Sequence, residues 1–312
     1  GAPAVLSGSN RLASAGRGRH PARVFATAAH AKLNLSLAIT GRRPDGFHEL
    51  VSLVAGVELA DTLEFTPGPA FALTCDDPTV PADGTNLVLR AAEVYARHRP
   101  DCVRGAFRLT KRIPHGAGLG GGSSDAAAAL RVLDQASSTP VGPETLERFA
   151  AEVGSDGPYF VRGGLKVMRG RGERLDAVPS AAASALNGRR VLVIKPPFGI
   201  PTPEAYAGLA RSGRYQAAAE AEARLAAWLA APAADPGELG NDLAAAVFAK
   251  HLALPTALQW LRDRQGLVFR LTGSGSACFA WVPEGLDSSV IMGTLRAAWG
   301  PSAWLADTRI SV

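Results

Sequence analysis

Cysteine is scarce in this sequence: only Cys75, Cys102 and Cys278 are present, and they lie far apart. Their spacing fits neither a zinc-ligand pattern nor a disulfide framework, which excludes a zinc module and a stapled secreted domain and points to a reducing, cytoplasmic setting. No apolar run approaches the roughly 20 residues that span a bilayer, so a helical membrane protein is excluded. Aromatic residues make up 6% of the chain, and none interleave with Arg or Lys in a stripe suited to nucleic acid. Acidic residues are missing from positions 1–24, which hold Arg11, Arg17, Arg19 and Arg23. Of 33 basic residues, four therefore lie in this head, leaving 29 against 28 acidic ones, so the formal net charge of +5 belongs almost entirely to the head. Rich in Gly, Ala, Ser and Arg, the head reads as a disordered basic tail, with organelle import as the alternative.

What is present is an ordinary globular body. With 47% hydrophobic and 20% charged residues over 312 positions, the chain has about twice the length of a typical domain of ~150 residues. Two units are expected, residues 25–180 and 190–312, joined by a linker at 179–190. The segment 30–40 alternates Leu33, Leu35, Leu37 and Ile39 with polar residues, the period-2 pattern of a half-buried strand. A turn at 41–46 leads to strands near 48–57 and 59–65, a helix over 86–97 and a strand over 106–113. Helices are expected over 143–153, three or four times between 203 and 264, and near 287–298, with strands around 165–168, at VLVIKPP, LVFRL and ACFAWV, and at the C-terminus. The pattern is α+β.

The most informative unit is a strand, a loop and a helix. From Gly116 the sequence GAGLGGGSSD crowds glycines whose backbone N–H groups no side chain blocks, and the helix SSDAAAALRVLDQA follows at once. Bare amides and the positive end of a helix dipole together make a cradle for phosphate. Residues 116–121 formally spell GxGxxG, but a dinucleotide fold requires a second strand with an acid about 20 residues on, and the helix continues instead. The GK[ST] ending of a Walker loop is missing too, so the loop supplies no lysine of its own.

Three stretches carry a resemblance. The segment PHGAGLGGGSSDAAAAL (114–130) resembles the phosphate-binding motif of the GHMP kinase superfamily. LTGSGSACFA (271–280) is similar to its third, glycine-rich motif. AKLNLSLAITGRRPDGFHEL (31–50) resembles the opening of the branch that acts in the non-mevalonate route to isoprenoid precursors. With GSDGPYF (154–160), IPTPEAY (200–206) and Asn241-Asp242, the likeness covers residues 28–312. It implies a two-domain α+β fold with the active-site cleft between the domains, using ATP and Mg²⁺. The implied reaction passes the γ-phosphate to the 2-hydroxyl of a methylerythritol carried on cytidine diphosphate. A kinase of another small alcohol, mevalonate or homoserine, is the alternative, and DGFHEL argues against it because those substrates contain no nucleobase. A catalytically silent nucleotide sensor on the same fold is the other, opposed by the presence of both Lys32 and Asp156.

Roles follow from the resemblance together with chemistry. A hydroxyl attacking a γ-phosphate requires a carboxylate to accept its proton and a cation to offset charge. The resemblance assigns Asp156 as that base and Lys32 as the cation; read without it, Asp156 is a helix N-cap and Lys32 an exposed strand lysine. It also places Phe47, His48 and Tyr206 around a cytosine and Asn34 near the reacting hydroxyl. On the ATP side it implicates Asn86, Leu87, Lys111 and Pro114 around adenine and ribose. Gly116, Gly118, Leu119, Gly120, Gly121, Gly122, Ser123 and Ser124 would hold phosphates, with either serine near the metal. Gly273, Ser274 and Gly275 would close the cleft. Two residues depart from the usual pattern: Phe47 stands where Tyr is usual, and Gly157 where Val is. His30, His98, His115 and His251 read as ordinary packing.

Overall fold

In the computed structural model, which describes residues 23–232 and 235–312, the alternating segment becomes two strands, β1 (Phe25–Asn34) and β2 (Ala38–Arg42). The proposed tail lies almost wholly outside the described residues. Where two strands are expected there is one, β3 (His48–Pro67), twenty residues long. Its stretch from Leu50 to Val57 is buried on both faces, so it has no alternation to read. It bonds to β1 and β2 and to two later strands, Lys166–Gly170 along its first half and Gly105–Thr110 along its second, which leaves little of its backbone for solvent.

The first half continues with β4 (Ala72–Cys75), α1 (Leu87–His98), β5 (Gly105–Thr110), α2 (Gly121–Ala136), α3 (Pro143–Val153), α4 (Gly157–Arg162), β6 (Lys166–Gly170) and β7 (Arg174–Ala177). Asn86 caps α1, its carboxamide accepting from Val88 N–H. The expected linker is instead a short helix, α5 (Ser180–Leu186), whose Ala182 and Leu186 are fully buried. Those two apolar residues, one helical turn apart, bring the segment onto the core. The second half holds β8 (Arg190–Lys195), α6 (Thr202–Ser212), α7 (Ala218–Ala230), α8 (Leu243–Lys250), α9 (Ala253–Gln265), β9 (Arg270–Leu271), β10 (Cys278–Trp281), α10 (Ser288–Trp299) and β11 (Trp304–Ser311).

Among the described residues the eleven strands form one sheet whose main path runs β4-β5-β3-β11-β8-β10-β9. The last strand joins the halves: Ile310 and Ser311 pair with Val57 and Gly56, while Trp304–Arg309 pair along β8. Apolar clusters cross the same seam, one of them combining Leu37, Ile39 and Leu50 with Leu192, Ile194 and Leu243. No helix among the described residues is long and apolar enough to cross a membrane.

Candidate active site

The glycine-rich loop is strapped from both sides. The amide of Lys32 on β1 donates to Leu119 O at 3.0 Å, and that of Ala277 donates to Ala117 O at 3.0 Å. Both loop residues have buried apolar side chains, so the chain between them is anchored and its glycines face outward into a cavity of about 1010 Å³. Two glycines are required by what approaches them. Gly118 has φ +79° and a Cβ there would lie 2.9 Å from the carbonyls of Gly275 and Thr272; Gly120 has φ +73° and a Cβ would overlap the Phe160 ring. The glycine-rich loop, the LTGSGSACFA segment and the GSDGPYF segment thus meet at close quarters.

Lys32 and Asp156 meet as well. Their Nζ and Oδ2 atoms are 2.9 Å apart, with Lys32 only 6% exposed and Asp156 open to the cavity. Asp156 does occupy the N-cap position of α4, but its carboxylate caps no amide and turns to Lys32 instead. Lys32 is likewise no exposed strand lysine: the register of β1 slips between His30 and Lys32, and the side chain points inward. Asn34 is buried beside them, its carboxamide donating to Ser52 Oγ at 2.8 Å and its amide to Thr272 Oγ1 at 2.8 Å.

Gly157 has a local reason. A Cβ there would overlap the carbonyl oxygen of Ala150 on α3. Gly to Ala within a helix ordinarily gains about 0.5–1 kcal/mol, but overpacking costs about 1–3 kcal/mol, and here the obstacle is backbone that cannot rotate away. Gly157→Ala is therefore expected to lower the thermal midpoint and to reduce kcat more than it raises KM, because Asp156 must shift with its neighbour. An unchanged or higher midpoint would show that α3 and α4 separate freely.

At the other end of the cavity, the rings of His48 and Tyr206 pack at 4.9 Å between centroids, with Tyr215 behind His48 at 6.0 Å. Burial, and then the charge of Arg42, lowers the His48 pKa, so the imidazole is neutral at pH 7 with one donor and one acceptor nitrogen. The Tyr206 hydroxyl is pushed up to about 12 by burial and by the negative charge of Asp156. Phe47 stands at the rim, 47% exposed, with the Arg171 guanidinium 4.9 Å over its ring. The structure thus packs Tyr206 directly on His48 and leaves Phe47 apart from both.

Asn86, Leu87, Pro114, Gly116, Gly121, Gly122, Ser123, Gly273 and Ser274 also line the cavity. Ser124, 1% exposed, and Gly275 do not. The Asn86 side chain is committed to the α1 cap and to Pro81 O. Lys111 is 9% exposed and donates to Asp61 at 2.5 Å and Asp125 at 2.8 Å. Its ammonium is thus held by two carboxylates beneath Gly121, whose Cβ would lie 3.4 Å from it. Burial raises the Asp125 carboxyl above the usual carboxylate range, against the lowering effect of Lys111. Sequence reasoning missed Asp61, Ser52 and Thr272, because a lone strand Asp, Ser or Thr carries no spacing signal. It also reads His115 as packing, whereas His115 lines the cavity. Asn241-Asp242 ties the third motif to β2, since Asn241 donates to Leu271 O and Gly273 O while Asp242 accepts from the Ile39 amide.

Comparison with known proteins places these features in a family. Residues 86–164 match the model of the GHMP kinase N-terminal domain, and residues 217–298 that of the GHMP kinase C-terminal domain. A 4-diphosphocytidyl-2-C-methyl-D-erythritol kinase of Prochlorococcus marinus (strain MIT 9313) is 38% identical over 297 residues, covering 90% of this chain and 92% of that protein. A crystal structure of 4-(cytidine 5'-diphospho)-2C-methyl-D-erythritol kinase superposes with a TM-score of 0.71 at 32% identity, over 91% of this chain and 99% of its own. A homoserine kinase structure from Cytophaga hutchinsonii, at 17% identity and a TM-score of 0.64 over 96% and 98% of the two chains, shares the fold.

Proposed function

Because this chain belongs to the 4-diphosphocytidyl-2-C-methyl-D-erythritol kinase family of the GHMP kinases, we propose that it transfers the γ-phosphate of ATP to the 2-hydroxyl of 4-diphosphocytidyl-2-C-methyl-D-erythritol. The observation that carries the chemistry is the contact of buried Lys32 with Asp156, opening on the same cavity as the glycine loop and the His48–Tyr206 pair.

In this reading Asp156 accepts the proton of the 2-hydroxyl as that oxygen attacks phosphorus, with Asn34 beside it to orient the alcohol. Lys32 holds the carboxylate in place and sets a positive charge beside the transferring group. The amides from Gly118 to Ser123, at the N-terminus of the sixteen-residue α2, hold the polyphosphate. No cluster of His, Cys, Asp or Glu that would cage a metal occurs among the described residues. A hydroxyl donor lining the cavity at Ser123, with Ser124 beside it, suits a Mg²⁺ carried mainly by nucleotide phosphates. When bound, the ion neutralises charge on those phosphates.

Base recognition is the part that selects the acceptor. His48 offers an edge hydrogen bond, and Tyr206 and Phe47 offer ring faces. Tyr206→Ala is expected to weaken CDP by about 1–3 kcal/mol, the worth of one base–aromatic stack, with the affinity for a non-hydrolysable ATP analogue unmoved. His48→Ala should lose discrimination between CDP and UDP, since stacking tolerates either base and an edge contact does not. Calorimetric titration checks both; a Tyr206→Ala enzyme impaired only toward the ATP analogue would mean the two nucleotides occupy opposite ends. Coupled ADP release with the cytidine substrate, mevalonate and homoserine tests the reaction itself, and turnover of only the last two would overturn it.

A further inference from the structure

The cavity contains more positive charge than its own acids can answer. Lys32 is paired with Asp156, and Lys111 with Asp61 and Asp125. Arg171 covers the Phe47 ring and lies close enough to Asp45 to act on it electrostatically. Two guanidiniums remain, Arg42 and Arg211. Both line the cavity, and neither has an ion pair or side-chain hydrogen bond among the described residues. What distinguishes them from other unpaired arginines is that both open on the cavity that also holds His48, Tyr206, Lys32 and Asp156.

Their positions bracket the base pocket. Arg42 ends β2 and pairs across the strands with His48. Arg211 lies in the last turn of α6, on the face that also turns Tyr206, Ala207 and Ala210 to the cavity. His48 and Tyr206 are in ring contact, so one arginine is paired in register with the first of these rings and the other shares a helix with the second, one on each half of the chain. A diphosphate attached to a base held there would leave the pocket between them on its way to Lys32 and Asp156. A diphosphate diester carries two negative charges, and guanidinium is the side chain whose planar fork meets phosphate oxygens in pairs. Keeping two unpaired cations in one cleft also raises the local concentration of an anionic ligand.

We infer that Arg42 and Arg211 form a two-sided clamp for the diphosphate of the acceptor substrate, an assignment that rests on the proposed cytidine-diphosphate acceptor. The clamp joins β2 to α6 through the ligand, so acceptor binding draws the two halves together around the reacting groups. It also separates this anion from the polyphosphate of ATP, which the glycine loop holds without arginine.

The test is calorimetric titration of the full-length protein with CDP, with cytidine and with AMP-PNP, for Arg42→Gln, Arg211→Gln and the double variant. Each single change is expected to weaken CDP about 10-fold, as for a hydrogen bond to a charged group, and the double change more than either. Cytidine and AMP-PNP affinities should stay within about twofold, and the salt dependence of CDP binding should flatten. Arg42→Lys and Arg211→Lys should keep the salt dependence while recovering only part of the affinity, because the charge stays and the fork is lost. CDP binding equal to wild type in the double variant overturns the clamp while leaving the acceptor reading intact. An equal loss for CDP and cytidine also overturns it, by making the arginines part of the base pocket. A loss confined to AMP-PNP overturns it by moving them to the donor side. Absence of CDP binding by the unaltered protein would overturn the acceptor reading and the clamp together.

Discussion

Replacing Asp156 with Asn is expected to lower kcat by at least about 10²-fold while the affinity for an ATP analogue holds. The carboxamide keeps the size and one acceptor oxygen, but it cannot take up a proton at working pH. It also turns the 2.9 Å ion pair with Lys32 into an ion–dipole contact, leaving a buried ammonium without its counter-charge. Neither loss touches the glycine loop, whose anchors are the amides of Lys32 and Ala277 rather than the Asp156 side chain. Single-turnover rates and equilibrium titration separate the two effects. Near-normal turnover would mean that the hydroxyl needs no base from the protein; a parallel loss of nucleotide affinity would mean that Asp156 supports the loop.

The largest stability effect is expected at Asp61, which is fully buried. One carboxylate oxygen accepts the amides of Arg112 and Ile113, and the other accepts from Lys111. Asp61→Ala removes all three partners at once and leaves a buried ammonium to Asp125 alone. Breaking a buried pair from one side typically costs about 3–5 kcal/mol, much more than a surface ion pair is worth. Urea denaturation should register a loss of that size. Lys111 lies directly beneath Gly121, so affinity for the ATP analogue should fall too, unlike in Asp156→Asn. A change below about 1 kcal/mol would show that Lys111 finds water or another acceptor, and that the triad is not what holds the loop's underside.

How much of the molecule is legible in its sequence depends on whether a residue announces itself by spacing. The glycine-rich loop does, because crowded glycines before a helix serve few purposes, and the chain there is a loop running into a helix as the pattern implies. The opening strand does only in part. Its alternation is visible, yet the slip between His30 and Lys32 that turns Lys32 inward arises from pairing with β3. A junction of two strands near residue 58 is expected because Glu58 and the polar positions after it break an apolar run. In the folded chain those positions remain in strand because β1, β5 and β11 bond to that part of β3. The helix at 180–186 escapes a sequence reading because alanines carry little apolar signal until something covers them.

By itself the sequence determined the class of the protein: an α+β chain with a glycine-rich loop running into a helix, and motifs whose resemblance named a family. Loop and helix rest on local residue order, which glycine conformation and side-chain periodicity convert directly into local structure. Only the tertiary structure decided that the halves share one sheet through β11, that Asp156 turns from its helix to Lys32, and that Lys111 is held by Asp61 and Asp125. It likewise decided that Arg42 and Arg211 face one cavity without partners among the described residues. Even within one of these groups the chain separation is large, since Lys111 stands 14 positions from Asp125 and 50 from Asp61. Whether a charge meets its counter-charge across such a distance depends on how strands pair and helices pack, which no short window of sequence contains.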